Sequence, residues 1–288
     1  MASDVTTPST PWLANVQLRE NPSLRLICFP YAGGSSIVFH NWKLALSPAV
    51  EIFPVQLPGR GMRIQQAPFK RIGPLIEAMI EGLSPFLRGR FAFLGHSMGA
   101  LIAYELANAL MSRGQRGPEK LYVSGRQAPH LAQSDPGFDS LSQDQFVERL
   151  RNLNGTPRTL LENPELLELV LPILRADFEL VHTYAYRKCP RLACPIKAYG
   201  GQLDNDVTPD KLAAWADHTS SDFSMEILPG DHFFIHQQKH DFLRSLSSDL
   251  DKLLTRTDDH AALTAPARAS ASSYRQANLK QVIEEKNS

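Results

Sequence analysis

Apolar and polar positions along the chain fall into two alternating patterns. Short apolar, β-rich runs at 24–29, 50–55, 91–94, 121–124, 196–199 and 223–228 read as buried strands. Between them, apolar residues recur at helical spacing over 73–87, 98–113, 209–216 and 233–254. Strands alternating with helices predict a mostly parallel sheet covered by helices on both faces, the α/β class. The alternation breaks once, between about 128 and 187, where helical patterns at 143–152 and 164–184 arrive with no strand between them. This stretch reads as an insertion. Its residues Leu167, Val170, Leu171, Leu174 and Phe178 are expected to be packing residues of a helix, and the insertion as a whole could form a lid.

From about Thr255 the composition turns to Ala, Ser, Thr and charge, as in TAPARASASS, which buries too little apolar area to offset chain entropy. One globular body over 1–254 followed by a flexible tail over 255–288 is therefore expected. A chain of 288 residues with 43% apolar content can bury a full core, and 30 basic residues balance 30 acidic ones. That balance argues against nucleic acid or an anionic membrane as partner. Cys28, Cys189 and Cys194 are odd in number and lack metal-ligand spacing, and no apolar run is long enough to cross a bilayer. With no secretory leader pattern at the N-terminus, a reduced, cytoplasmic setting and a monomer are expected.

The chemistry concentrates at Phe91-Ala92-Phe93-Leu94-Gly95-His96-Ser97-Met98-Gly99-Ala100, a buried strand running into GxSxG and at once into a helix. A nucleophile elbow has this form. The sharp turn lifts the Ser97 hydroxyl clear of the sheet and brings strand and helix so close that Gly95 and Gly99 must be small. The helix that starts at Met98 places free backbone N–H groups where a tetrahedral oxyanion would form.

A serine hydroxyl needs a base, and an imidazole base needs a carboxylate to set its tautomer. In the order usual for this arrangement both follow the nucleophile, acid first, on loops leaving later strands. The strand at 196–199 runs into Gly200-Gly201-Gln202-Leu203-Asp204-Asn205-Asp206-Val207, where Asp204 is the favoured acid and Asp206 the alternative, suited to capping a helix near Thr208. The strand at 223–228 ends in Pro229-Gly230-Asp231-His232-Phe233-Phe234, which makes His232 the base and leaves Asp231 to cap or to face solvent. His96 adjoins the nucleophile and is expected to point away along the strand in a structural role. A second oxyanion donor is expected from Phe29-Pro30-Tyr31-Ala32-Gly33-Gly34, through the N–H of Tyr31 or Ala32 beside that of Met98. This loop has neither GxGxxG nor a Walker lysine, so it is no dinucleotide or phosphate loop.

With these residues in place, the chain resembles the type II thioesterases, stand-alone editing enzymes of nonribosomal peptide and polyketide synthases. More distantly it is similar to the medium-chain thioesterases of fatty acid synthesis. The resemblance rests on Phe29-Pro30-Tyr31-Ala32-Gly33-Gly34, Gln56-Leu57-Pro58-Gly59-Arg60-Gly61-Met62-Arg63, Gly95-His96-Ser97-Met98-Gly99, Leu174-Arg175-Ala176-Asp177-Phe178 and Gly230-Asp231-His232-Phe233-Phe234, in that order. It implies an α/β-hydrolase fold whose helical insertion is a lid, with Ser97, Asp204 and His232 as triad. It also implies hydrolysis of acyl and aminoacyl thioesters on the phosphopantetheine arm of acyl or peptidyl carrier proteins, with no cofactor beyond the arm that the substrate carries. Arg60 and Arg63 either meet the phosphate of that arm or anchor their loop. A serine esterase or acyltransferase with the same triad, or a medium-chain fatty acyl thioesterase, is the alternative, and a binder that has lost turnover is a third reading.

Overall fold

The computed structural model describes residues 10–14, 23–131, 141–152 and 162–255. Six strands form one sheet: β1 (Leu24–Phe29), β2 (Val50–Pro54), β3 (Phe91–His96), β4 (Leu121–Ser124), β5 (Ile196–Gly201) and β6 (Phe223–Leu228), in the order β2-β1-β3-β4-β5-β6. All five pairings are parallel. The helices are α1 (Ile72–Leu83), α2 (Met98–Ser112), α3 (Gln143–Asn152), α4 (Pro164–His182), α5 (Pro209–Ala213), α6 (Phe234–Gln237) and α7 (Lys239–Thr255).

The strands are apolar throughout because each buries both faces, and the two-residue period sorts their side chains into two cores. Ile27, Phe29, Phe91, Phe93, Leu121, Val123, Ile196 and Ala198 face one core, where α1 supplies Leu75, Ile76, Met79, Ile80 and Leu83 and α2 supplies Ile102, Leu106 and Leu110. Leu24, Leu26, Cys28, Ala92, Leu94, Tyr122 and Tyr199 face the other, covered by Phe242, Leu243, Leu246, Leu250 and Leu253 of α7. The result is a three-layer helix, sheet, helix sandwich.

Strand order reverses between β1 and β3, because the chain runs outward from β1 to β2 and then returns to the other side of β1. Loops that leave neighbouring strands at such a switch point diverge to opposite faces and open a crevice at the carboxyl end of the sheet. The Pro30–Gly34 loop after β1 and Ser97 after β3 flank that crevice.

The expected elements differ from the structure mainly at their ends. Val55 leaves the sheet and makes an antiparallel bridge with Leu13, while β3 runs on to His96 and β5 to Gly201. The helix read at 73–87 becomes α1 and a 3-10 turn at Ser84–Phe86, where Pro85 sits. The helix read at 209–216 passes from α5 into a 3-10 turn at Ala214–His218. The long helix read at 233–254 is two, α6 and α7, broken at Gln238. Among the described residues of the insertion there are two helices and no strand, and α3 and α4 share a small core of their own made by Phe146, Val147, Leu150, Leu171 and Leu174. The expected tail after Thr255 lies outside the described residues.

Phe242 ties α7 to the sheet: it is fully buried and edge-on to Trp42 and Tyr199, at ring separations of 5.6 and 4.9 Å. Phe242→Ala is expected to cost about 3–5 kcal/mol through lost transfer energy and the cavity left behind. Urea denaturation at neutral pH measures it.

Candidate active site

Ser97 sits between the last residue of β3 and the first of α2 with φ 54 and ψ −115. Among the described residues only Asn41 and Ser97 are non-glycine positions with positive φ. Such a conformation costs about 1–3 kcal/mol and persists only where the surroundings enforce it. Here they do. The Ser97 N–H donates to the Ser124 carbonyl at 2.8 Å, fixing the turn to β4. A Cβ on Gly95 would lie 2.1 Å from the Gly99 carbonyl oxygen, and one on Gly99 would lie 2.1 Å from that of Phe29. Both glycines are demanded by backbone approaching backbone.

Two further loops are tied together opposite the elbow. Gln202 N–H donates to the Leu228 carbonyl (2.7 Å) and Leu203 N–H to the Gly230 carbonyl (2.8 Å). At Gly201 a Cβ would lie 2.3 Å from the Asp231 carbonyl. This stitching carries Asp204 and His232 to one place. Asp204 is buried; its Oδ1 accepts the N–H groups of Asp206 and Val207 at 3.0 and 3.1 Å, and its Oδ2 lies 2.7 Å from His232 Nδ1. His232 Nε2 lies 3.0 Å from Ser97 Oγ. Hydroxyl, imidazole and carboxylate thus form one continuous hydrogen-bonded line. With Nδ1 held by the carboxylate, the neutral ring keeps its proton there and turns the Nε2 lone pair to the hydroxyl. Burial alone would raise the Asp204 pKa, but the His232 hydrogen bond and charge and the two backbone donors outweigh it and lower the pKa overall.

Asp206 thus supports Asp204 through its backbone; α5 starts at Thr208 with no side-chain cap. Asp231 does not cap α6, which has no side-chain cap; its Oδ1 accepts the Phe233 N–H at 2.8 Å in a local turn before that helix. His96 departs from expectation, since its ring lies against that of His232, with centroids 5.2 Å apart. It is fully buried, and its Nδ1 is 2.9 Å from Ser124 Oγ. Burial first, then the neighbouring His232 and His236, push its pKa well down, so His96 is a neutral support beneath the second imidazole. Among the described residues, the N–H groups of Met98, Tyr31 and Ala32 have no hydrogen-bond partner.

Arg60 and Arg63 are buried, at 5% and 7% exposure, which removes them as contacts for a carrier phosphate. Arg63 reaches the Gln56 carbonyl (3.0 Å) and Gln66 Oε1 (2.7 Å) and lies over the Trp12 ring. Arg60 grips both oxygens of Asp177 on α4, at 2.6 and 2.7 Å, and also the Gly34 carbonyl at 3.1 Å. Asp177 Oδ2 in turn accepts the Gly33 N–H at 2.7 Å, and Leu174 fills the space where a Gly33 side chain would stand. One buried ion pair therefore joins the inserted helix to the loop that carries Tyr31 and Ala32. Asp177 had a sequence signal, an acid on the apolar stripe of an amphipathic helix, but its partner Arg60 is 117 positions away.

Among the described residues no cluster of three or more His, Cys, Asp or Glu could hold a metal ion, and no helix is long and apolar enough to cross a membrane.

A parallel sheet with helices on both faces and a serine at a strained strand-to-helix turn defines the α/β-hydrolase class. Residues 24–252 match the family described as Thioesterase domain, and the chain belongs to that family. The gramicidin S biosynthesis protein GrsT of Aneurinibacillus migulanus is 38% identical over 243 residues, 84% of this chain and 95% of that protein. The medium-chain S-acyl fatty acid synthase thioesterase of Rattus norvegicus is 33% identical over 223 residues, covering 76% and 84%. Among solved structures, the type II thioesterase BorB from the borrelidin biosynthetic cluster aligns with a TM-score of 0.75 at 34% identity, covering 85% of this chain and 100% of that one.

Two outcomes follow from the buried charges. Asp177→Ala leaves Arg60 buried without its counter-charge and is expected to destabilise the fold by about 3–5 kcal/mol in urea denaturation. Asp204 has a folded pKa below its ordinary 3.8, so its contribution to stability is complete above that value and disappears as pH falls through the folded pKa. Thermal melts between neutral pH and strong acid should show wild type losing its advantage over Asp204→Asn below about pH 4.

Proposed function

We propose that this chain is a thioesterase in which Ser97 is the nucleophile, His232 the general base and acid, and Asp204 the group that orients and stabilises the imidazole. The observation that carries the reading is the hydrogen-bonded line from Asp204 Oδ2 through His232 to Ser97 Oγ, at 2.7 and 3.0 Å. His232 Nε2 takes the hydroxyl proton as Ser97 Oγ attacks the thioester carbonyl. The Met98 N–H, joined by that of Tyr31 or Ala32, holds the oxyanion at the N-terminus of α2. The C–S bond breaks, the thiol leaves with a proton, and an acyl-serine remains. Water then gives a proton to His232 and attacks the ester, and the acid departs as Ser97 regains its hydrogen.

The substrate in this reading is an acyl or aminoacyl group on the phosphopantetheine arm of an acyl or peptidyl carrier protein, released to clear a nonribosomal peptide or polyketide synthase. Support comes from nearly full-length similarity to proteins named for such pathways. Similarity to the medium-chain fatty acyl enzyme is lower and covers less of the chain. The arm belongs to the substrate, so the chemistry calls for no bound cofactor, and one chain supplies every group named. α3 and α4 act as the lid, and a cytoplasmic setting fits a carrier-protein partner.

Ser97→Ala is expected to cut hydrolysis of acyl-carrier thioesters by at least about 10⁴-fold with little change in melting temperature. Turnover equal to wild type in that variant would end the proposal. A fluorophosphonate probe should label wild type, and neither Ser97→Ala nor His232→Ala.

A further inference from the structure

A cavity of about 240 Å³ is bounded by the chain after β4, by the end of α4 and by the segment beyond it. Its walls include Arg126, His130, Leu131, His182, Tyr184 and Tyr186. That volume is roughly eight times the share of one water in the liquid, enough for a short polar chain.

Arg126, which is half-buried, is out of keeping with the buried Arg60 and Arg63. Arg60 and Arg63 use their guanidinium N–H groups on carboxylate, carbonyl and amide oxygens. Arg126 makes no side-chain hydrogen bond or ion pair among the described residues, although its Nε is shut off from solvent. Burial lowers its pKa to about 10, with only Tyr184 acting in the opposite sense. Even at that value it carries its charge at neutral pH. The carboxylate of Glu105 accepts the Tyr184 hydroxyl at 2.7 Å and faces the charge of Arg187 instead. A guanidinium whose Nε is shut off from solvent and meets no acceptor among the described residues leaves its charge open to an anion in the cavity.

The position is suggestive too. Arg126 follows Ser124 by two residues, and the Ser124 carbonyl holds the Ser97 N–H at 2.8 Å. Two residues span at most about 7 Å of chain, so the Arg126 backbone lies close to the strand end that holds the elbow turn. The backbone of Arg126 is fixed from behind, its carbonyl accepting the Trp215 indole N–H at 2.7 Å.

We propose that Arg126 and its cavity bind a carboxylate, borne either by the far end of a short acyl chain on the thioester or by a free acid. A guanidinium offers two parallel N–H groups that match a carboxylate in geometry and charge. The side chains of Tyr186, His130 and His182 supply further polar contacts around it. This deepens the thioesterase reading, since the acyl-borne form makes Arg126 a specificity residue of that same site.

The test separates binding from turnover. In Ser97→Ala protein, calorimetric titration with succinate should show saturable binding that falls at least tenfold in Ser97→Ala/Arg126→Met, with butyrate and inorganic phosphate binding more weakly than succinate. With Ser97 intact, the ratio of kcat/KM for succinyl-pantetheine over butyryl-pantetheine should fall at least tenfold on Arg126→Met if the carboxylate is acyl-borne. An unchanged ratio with succinate binding lost assigns the site to a free acid. Because the Arg126 side chain makes no bond among the described residues, Arg126→Met should melt no lower than wild type; a drop of more than about 5 °C marks a structural anchor and overturns the proposal. Absent succinate binding overturns it as well, as does phosphate binding as tight as succinate. Loss of all thioester turnover with succinate binding intact would count against the thioesterase reading alone.

Discussion

Everything at the carboxyl end of this sheet depends on how closely β3, α2 and β1 approach one another at Gly95 and Gly99. Carbonyl oxygens occupy the places where two side chains would begin, 2.1 Å from each ideal Cβ. Backbone cannot yield as a flexible side chain can. That contact forces Ser97 into its positive-φ turn, and the turn sets the hydroxyl above the sheet with the first free N–H groups of α2 close by. A wider approach would relax the strain and leave the hydroxyl on an ordinary loop.

The remaining groups are delivered by equally rigid devices. The loops after β5 and β6 are laced by backbone hydrogen bonds, so the carboxylate and imidazole arrive as one unit rather than as two mobile side chains. The loop after β1 is held from above: Asp177 of α4 binds the Gly33 N–H and is itself gripped by Arg60. A buried ion pair is a weak source of net stability, but it is exacting about geometry. Any movement of α4 therefore bears on the segment that carries Tyr31 and Ala32. The Arg126 side chain makes no such bond among the described residues, its Nε lying shut off from solvent, and that sets it apart from Arg60 and Arg63.

Much of this was legible before any coordinates. The six strands stood out because strands buried on both faces are short unbroken apolar runs, and GxSxG between a strand and a helix has few other uses. Asp204 and His232 were legible because each lies just past the end of a strand, where a parallel sheet collects its loops. Element ends were less so: Gln238 breaks the last helical stretch without a proline or glycine to announce it. His96 keeps the structural role expected of it, but alternation along a strand says only which face a side chain takes, and not that the loop after β6 will lay His232 against it.

The sequence by itself determined the class of fold, the order of its elements and the elbow, and it singled out Asp204 and His232 as candidates, since these rest on local periodicity and on residues adjacent in the chain. Only the tertiary structure decided that Arg60 meets Asp177, that His96 supports His232 and that the Arg126 side chain finds no partner among the described residues. Those facts depend on contacts between segments tens of residues apart, and on whether a buried charge finds its complement, which no local pattern encodes.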